Sequence, residues 1–208
     1  MIISVQDKHA LSESIRILKS GGIVVFPTET VYGVGALLSR GEAIEKIYKV
    51  KNRDRSKALL LHISKIESLE LAQYVPPEAF KLIEKFWPGP LSLILKASAK
   101  IPINVIGNGD TVGFRMPNNS FFQKLANVLG PIAATSANRS GNPSPTSVKS
   151  AYEQLGDFVD LYVDGGKIEI GIASTILDFT KDHPTVLRIG AIPISEIENV
   201  IGKVSIRT

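Results

Sequence analysis

Short apolar runs of three to six residues, each closed by Gly, Pro or a polar cluster and many separated by an amphipathic stripe, constrain this chain more than any other feature. Residues 23–26 form a β-branched run ended by Pro27, and residues 32–37 supply a partner within hairpin distance. Leu11, Ile15 and Leu18 recur at helical spacing, with Asp7 as a cap and Gly21-Gly22 as a stop. Further helices are predicted over 42–50, 78–86, 121–129, 148–155 and 194–201, and further strands over 59–63, 91–96, 111–116, 132–134, 159–163, 174–177 and 186–188. Residues 101–110 read as turns. Interspersed helices and strands call for an α/β or α+β arrangement around one large twisted sheet. Several strands lie closer than a crossover connection allows, so the sheet is expected to be mixed. With no internal repeat or composition shift, residues 1–208 are expected to form a single domain, and this length supplies a sizeable core.

Composition removes whole classes of chemistry. There is no cysteine, hence no disulfide, thiolate nucleophile or sulfur-ligated zinc. His9, His62 and His183 stand far apart without metal-ligand spacing, so any metal is expected to arrive with a ligand. The first twenty residues lack a signal-peptide core and no apolar run is long enough to span a bilayer, which predicts a cytoplasmic protein without membrane contact. The formal charge is 24 − 20 = +4, too small an excess to specify nucleic acid by itself.

Three polar segments carry the chemistry. Lys51-Asn52-Arg53-Asp54-Arg55-Ser56-Lys57 places four cations on odd positions, one side of an extended chain. It reads either as a solvated loop or as a polyphosphate seat, since Arg offers forked donors and Lys a mobile charge. The stretch from Thr135 to Ser147 is dense in hydroxyls, amides, Gly and Pro; it is either a linker or a nucleotide-binding strand-to-helix loop. It is not a Walker A loop, and Gly165-Gly166-Lys167 lacks the rest of that pattern; no G-x-S-x-G exists either. Pro27-Thr28-Glu29-Thr30-Val31-Tyr32-Gly33 sets polar residues at a strand end, as a ligand seat or as an ordinary turn. Arg115 and Arg188, each beside apolar strand residues, need a carboxylate or an anionic ligand to be buried.

Taken together, these blocks resemble the YrdC-type threonylcarbamoyl-AMP synthases, in the short form without an extra C-terminal domain. The resemblance runs from Gly22 to Ile192. It rests on the Pro27–Gly33 block, Lys51-Asn52-Arg53 as K-x-R, residues 59–62, Trp87-Pro88-Gly89-Pro90, Val112-Gly113-Phe114-Arg115-Met116-Pro117, Ser136-Ala137-Asn138 as S-x-N, Ser174-Thr175-Ile176 and Val186-Leu187-Arg188. What the resemblance implies is an α/β sheet curled around a positively charged cavity. It also implies a nucleotidyltransferase that joins L-threonine, bicarbonate and ATP into threonylcarbamoyl-AMP and pyrophosphate, the first step of tRNA threonylcarbamoyladenosine formation. By the same carry-over, Lys51, Arg53, Lys57, Thr111, Ser136, Asn138, Ser144, Thr146 and Arg188 would hold ATP, with Lys51 and Arg53 catalytic. Thr30, His62, Arg115, Ser136 and Ser174 would hold threonine, Arg115 forking onto its carboxylate. Mg²⁺ would come on the phosphates, and a tRNA threonylcarbamoyl transferase would take the product.

The chain departs from the usual pattern at Asp54 and Ala58, where proline is typical, and at Ser92, Asn119, Ala173 and Ile189. Two other readings compete with the synthase: a module binding double-stranded RNA or tRNA through the same basic concavity, and a paralogue with altered substrate.

Overall fold

The structure, a computed structural model, describes residues 1–168 and 170–207. Among the described residues, eleven strands form one mixed sheet in the order β1-β8-β2-β3-β7-β4-β6-β5-β9-β10-β11. The left half comprises β1 (Ile2–Ser4), β2 (Val24–Phe26), β3 (Gly33–Leu37), β7 (Ile132–Ser136) and β8 (Leu161–Asp164). The right half comprises β4 (Leu60–His62), β5 (Leu91–Lys96), β6 (Thr111–Arg115), β9 (Thr175–Asp178), β10 (Thr185–Arg188) and β11 (Ser205–Ile206). The single α/β domain with a mixed sheet agrees with the sequence reading. Residues 32–37 do pair antiparallel with the preceding strand, Val25 opposite Val34.

The helices are α1 (Ala10–Lys19), α2 (Gly41–Lys51), α3 (Pro77–Phe86), a one-turn α4 (Ile103–Ile106), α5 (Ser120–Leu129), α6 (Val148–Leu155) and α7 (Ile194–Ile201). Asp7 does not cap α1: His9 occupies the N-cap, and the Asp7 carboxylate, two residues before it, accepts from the His9 N–H. The turns expected over 101–110 contain α4, and β1, β11 and a 3-10 segment at Ile66–Leu71 complete the order. Asn119 caps α5 by accepting from Phe122 N, a role that histidine at this place would perform less well.

Period-two alternation sends the side chains of the right half to two different destinations. Leu59, Leu61, Val112, Phe114, Leu93 and Leu177 enter the larger core with α2, α3, α6 and α7. Leu60 and His62, Gly113 and Arg115, Ile94 and Ile176 point to the other face. On that other face α1 and α5 cover only the left half, where Phe26, Phe122, Leu125, Ile132 and Leu161 make a second, smaller core. The right half of this face is left as a cavity.

Two local devices shape its rim. The Trp87–Pro88 peptide is cis, and Gly89 packs so closely on the Phe86 carbonyl that no Cβ fits there. Its N–H then reaches Met116 O at 2.7 Å, tying the turn to the end of β6. Tyr32 donates to Gly166 O at 2.6 Å and accepts from Gly165 N at 3.0 Å, so the glycine pair flagged in the sequence is held by the β2–β3 turn as a structural loop.

Candidate active site

The cavity has a volume of about 260 Å³, close to the roughly 300–1,000 Å³ usual for small-ligand sites. Its floor is made of short side chains. Gly113 faces Leu60 on one neighbouring strand and Ile94 on the other, and both lean over it where a Cβ would stand. Ala134 and Gly33 continue the floor.

Three guanidinium groups line the walls: Arg53, Arg115 and Arg188. Arg53 enters from the loop after α2, its Nε and Nη2 donating to Lys57 O at 3.1 Å and Ala58 O at 2.8 Å. Arg188 sits past a bulge in β10, donating to Ser174 O at 3.0 Å and Ser174 Oγ at 3.1 Å. Ser174 in turn bonds Ser92 Oγ at 2.8 Å, so a serine stands in a hydroxyl chain where threonine is more usual. Burial makes the charge of Arg115 costly; Arg188 stays exposed, yet partial desolvation first and the repulsion of Arg115 second pull its pKa down. An anion beside the two would offset both the lost solvation and the repulsion.

Arg115 is 3% exposed and is engaged on one edge. Nε donates to Gly89 O at 3.3 Å, and Nη2 donates to Thr30 Oγ1 at 2.7 Å and lies 2.9 Å from Glu29 Oε1. Thr28 organises this turn: its Oγ1 accepts from Thr30 N and Val31 N, both at 3.2 Å. Thr30 therefore stands against Arg115 behind the wall, whereas Thr28 itself reaches the cavity.

His62 is 4% exposed, lines the cavity, and packs edge-on to Phe122 with ring centroids 5.6 Å apart. Its Nδ1 is buried without a hydrogen-bond partner. Burial first, and then the Arg115 charge, hold its pKa well below the ordinary histidine value, so the ring is neutral. As pH falls through about 6.5 the unfolded chain takes up a proton that the folded chain refuses, so His62 subtracts stability in acid. In urea denaturation between about pH 7 and pH 5, His62→Gln is expected to lose less stability than the parent; identical slopes would mean that His62 charges in place.

The basic segment behaves differently from an extended strand. The helix α2 runs through Lys51, and Asn52 adopts the left-handed conformation at φ 49°, which turns the chain before Arg53. The odd-numbered cations consequently share no face. Lys51 is 1% exposed, and its Nζ donates to Ser136 O and to Asn138 O, the latter at 2.5 Å. Ser140 N returns a bond to Lys51 O at 2.9 Å. Arg55 pairs with Glu45 at 2.5 Å, and Lys57 is exposed. Asp54, in place of proline, stiffens the turn by accepting from Ser56 N at 2.8 Å.

Of the residues expected to hold ligands, the structure brings Arg53, His62, Thr111, Arg115, Ser136, Ser174 and Arg188 to the cavity wall. Asn138 turns inward: Oδ1 accepts from Ser136 Oγ at 2.5 Å, and Nδ2 donates to Arg139 O and Asn142 O. Lys51, Lys57, Ser144 and Thr146 lie outside the lining, together with Thr30 and Asn138. Thr28 and Thr135 line the cavity and fall in the two polar segments that the sequence marks, though no motif picks them out singly; a strand Arg115 calls for a carboxylate or an anion, but nothing local names Glu29 as its partner.

Comparison with known proteins gives this cavity its context. The family model Sua5_yciO_yrdC, described as telomere recombination, matches residues 16–190. The chain belongs to the Sua5/YciO/YrdC family. Within it, the chain is 44% identical over 191 residues to a threonylcarbamoyl-AMP synthase of Pyrococcus abyssi, covering 91% of this chain and 56% of that relative. A Bacillus subtilis threonylcarbamoyl-AMP synthase is 40% identical, with 94% and 58% covered. The chain thus spans a little over half the length of these two curated family members, but 91% of a Mycobacterium leprae relative that is 35% identical. The solved structure of Pyrococcus abyssi Sua5 complexed with L-threonine superposes with a TM-score of 0.96 at 40% identity, covering all of this chain and 62% of that one. Escherichia coli YciO shares the family fold, with a TM-score of 0.86 at 24% identity.

Proposed function

We propose that this chain is a threonylcarbamoyl-AMP synthase, a nucleotidyltransferase acting on L-threonine, bicarbonate and ATP. The observation that carries the reading is the convergence of Arg53, Arg115 and Arg188 on one cavity whose remaining polar lining is hydroxyls and a neutral imidazole. Such a site binds and aligns anions, and it presents no activated nucleophile.

The chemistry asks for little more. The threonine amine attacks CO2 derived from bicarbonate, giving a carbamate with loss of a proton. A carbamate oxygen then attacks the α-phosphorus of ATP, and the bond to pyrophosphate breaks. Charge moves onto the leaving pyrophosphate, where arginines are the effective stabilisers. In this reading Arg53 and Arg188 face the phosphates, and Arg115 faces the threonine carboxylate. Ser174, held by Arg188, and His62, with its unpartnered nitrogen, stand where a threonine hydroxyl would be tested; an apolar pocket discriminates poorly on a hydroxyl. Among the described residues no group of three or more His, Cys, Asp or Glu could seat a metal, and no carboxylate lines the cavity. Magnesium would therefore ride on the triphosphate. The product would pass to a tRNA-modifying transferase in the cytoplasm. Among the described residues no helix is long and apolar enough to cross a membrane.

The test is pyrophosphate release from Mg-ATP with each substrate withheld in turn. Release should need both threonine and bicarbonate, and release indifferent to either would sink the assignment. Arg53→Ala and Asn138→Ala should each lower turnover by about 10²-fold or more with unchanged circular dichroism, the first by removing a cation and the second by releasing the S-x-N loop.

A further inference from the structure

We infer that Glu29 is a positioning residue acting through Arg115, holding the Nη2 corner of the guanidinium so that Nη1 alone is presented to an anionic group in the cavity. The inference rests on the amino-acid carboxylate assigned to this end of the site.

A guanidinium has five N–H donors in one plane, so fixing two of its nitrogens fixes the third. The Nε hydrogen goes to Gly89 O. Nη2 donates to Thr30 Oγ1 at 2.7 Å and stands in ion-pair contact with Glu29 Oε1 at 2.9 Å. No described protein group takes the Nη1 hydrogens. Both edges that would allow a two-nitrogen fork include Nη2, and Nη2 is occupied. Arg115 therefore meets a carboxylate end-on through one nitrogen, in contrast to the fork expected from the sequence.

Glu29 is not an incidental neighbour. Both of its carboxylate oxygens are buried and neither makes a hydrogen bond, so among the described residues the Arg115 ion pair is the polar contact that offsets their burial. A carboxylate with so few partners would be an expensive way to fill space. Its placement makes sense as a counter-charge that keeps Arg115 ordered while the cavity is empty. Glu29 itself does not line the cavity, so it reaches a ligand only through Arg115.

The experiment measures L-threonine and Mg-ATP affinities separately by calorimetry for the parent, Glu29→Ala and Glu29→Gln. Positioning predicts that Glu29→Ala weakens threonine by about 10-fold or more while ATP stays within about twofold, and that Glu29→Gln, which keeps an oxygen for Nη2, lies between. Unchanged threonine affinity in both variants overturns the inference, as does an equal loss for both ligands. Tighter threonine binding would make Glu29 a competitor for the fork and would also overturn it. If Glu29→Ala does not fold, Glu29→Gln decides on the same criteria. A parent that binds no threonine condemns the proposed function instead, and the ligand-free ¹⁵N side-chain spectrum then judges Glu29 alone. The Arg115 Nε–H resonance should be sharp in the parent and exchange-broadened in the variants, and an unaltered resonance would refute positioning.

Discussion

Arg115→Ala should be the most damaging single substitution, lowering stability by about 3–5 kcal/mol as well as removing the proposed threonine binding. The reason lies in what is left behind. Glu29 would lose the cation paired with its buried oxygens, and Gly89 O and Thr30 Oγ1 would lose a donor each. An uncompensated buried charge costs more than the pair contributes. The double variant Arg115→Ala/Glu29→Gln should therefore recover part of the lost stability, since an amide needs no counter-ion. Urea denaturation of the four proteins in the cycle checks this. Additive losses would show that the two side chains act independently, and Arg115→Lys should not restore the proposed threonine binding, because an ammonium cannot span Gly89, Thr30 and Glu29 in one plane.

Lys51→Met is the second large effect, and its arithmetic has opposing signs. The ammonium bridges Ser136 O and Asn138 O, so its loss leaves two carbonyls without a donor, about 1–3 kcal/mol each, and frees the S-x-N loop from the end of α2. A displacement of that loop by about 1 Å should cost about 10²-fold in kcat/KM, because the loop presents Ser136 to the cavity. Against this, a buried lysine is a burden near neutrality. Burial first, and the Arg53 charge second, push Lys51 down to about 7, while the two carbonyls favour the ammonium. With the folded value below the unfolded one of about 10.4, the unfolded chain binds the extra proton between the two, so the parent should gain stability as pH rises from 7 toward 10. Lys51→Met should lack that rise. Parallel stability curves would show that Lys51 keeps an ordinary titration.

What could be read from the sequence depended on how local the cause was. The strand β5 and helices α6 and α7 match their expected bounds because turn residues or a capping serine punctuate them. The edge strands β1 and β11 have three and two residues and exist only through partners distant in the chain, Tyr162 opposite Ile2 and Val186 opposite Ile206. The residue types of the site were legible, since a strand arginine among apolar neighbours needs an anion wherever it lies. The geometry was not. Alternation of the cations from Lys51 onward assumed an extended chain, and one left-handed residue, Asn52, cancelled it. Asn138 carries a motif letter, but its amide is spent on Arg139 and Asn142 carbonyls, which only the folded loop reveals.

The divided face of the sheet has a consequence for how substrate choice can change. On the β4–β7 side the cavity wall shares His62 with the Phe26–Phe122 aromatic packing beneath α1 and α5, so enlarging or shrinking a residue there disturbs a core. On the β9–β10 side, Ala173, Ile176 and Leu187 meet the cavity outside both buried clusters. Substitutions that reshape the pocket for a different ligand are therefore cheapest on that second wall. One flank of the site is conservative by construction, and the other is free to diversify.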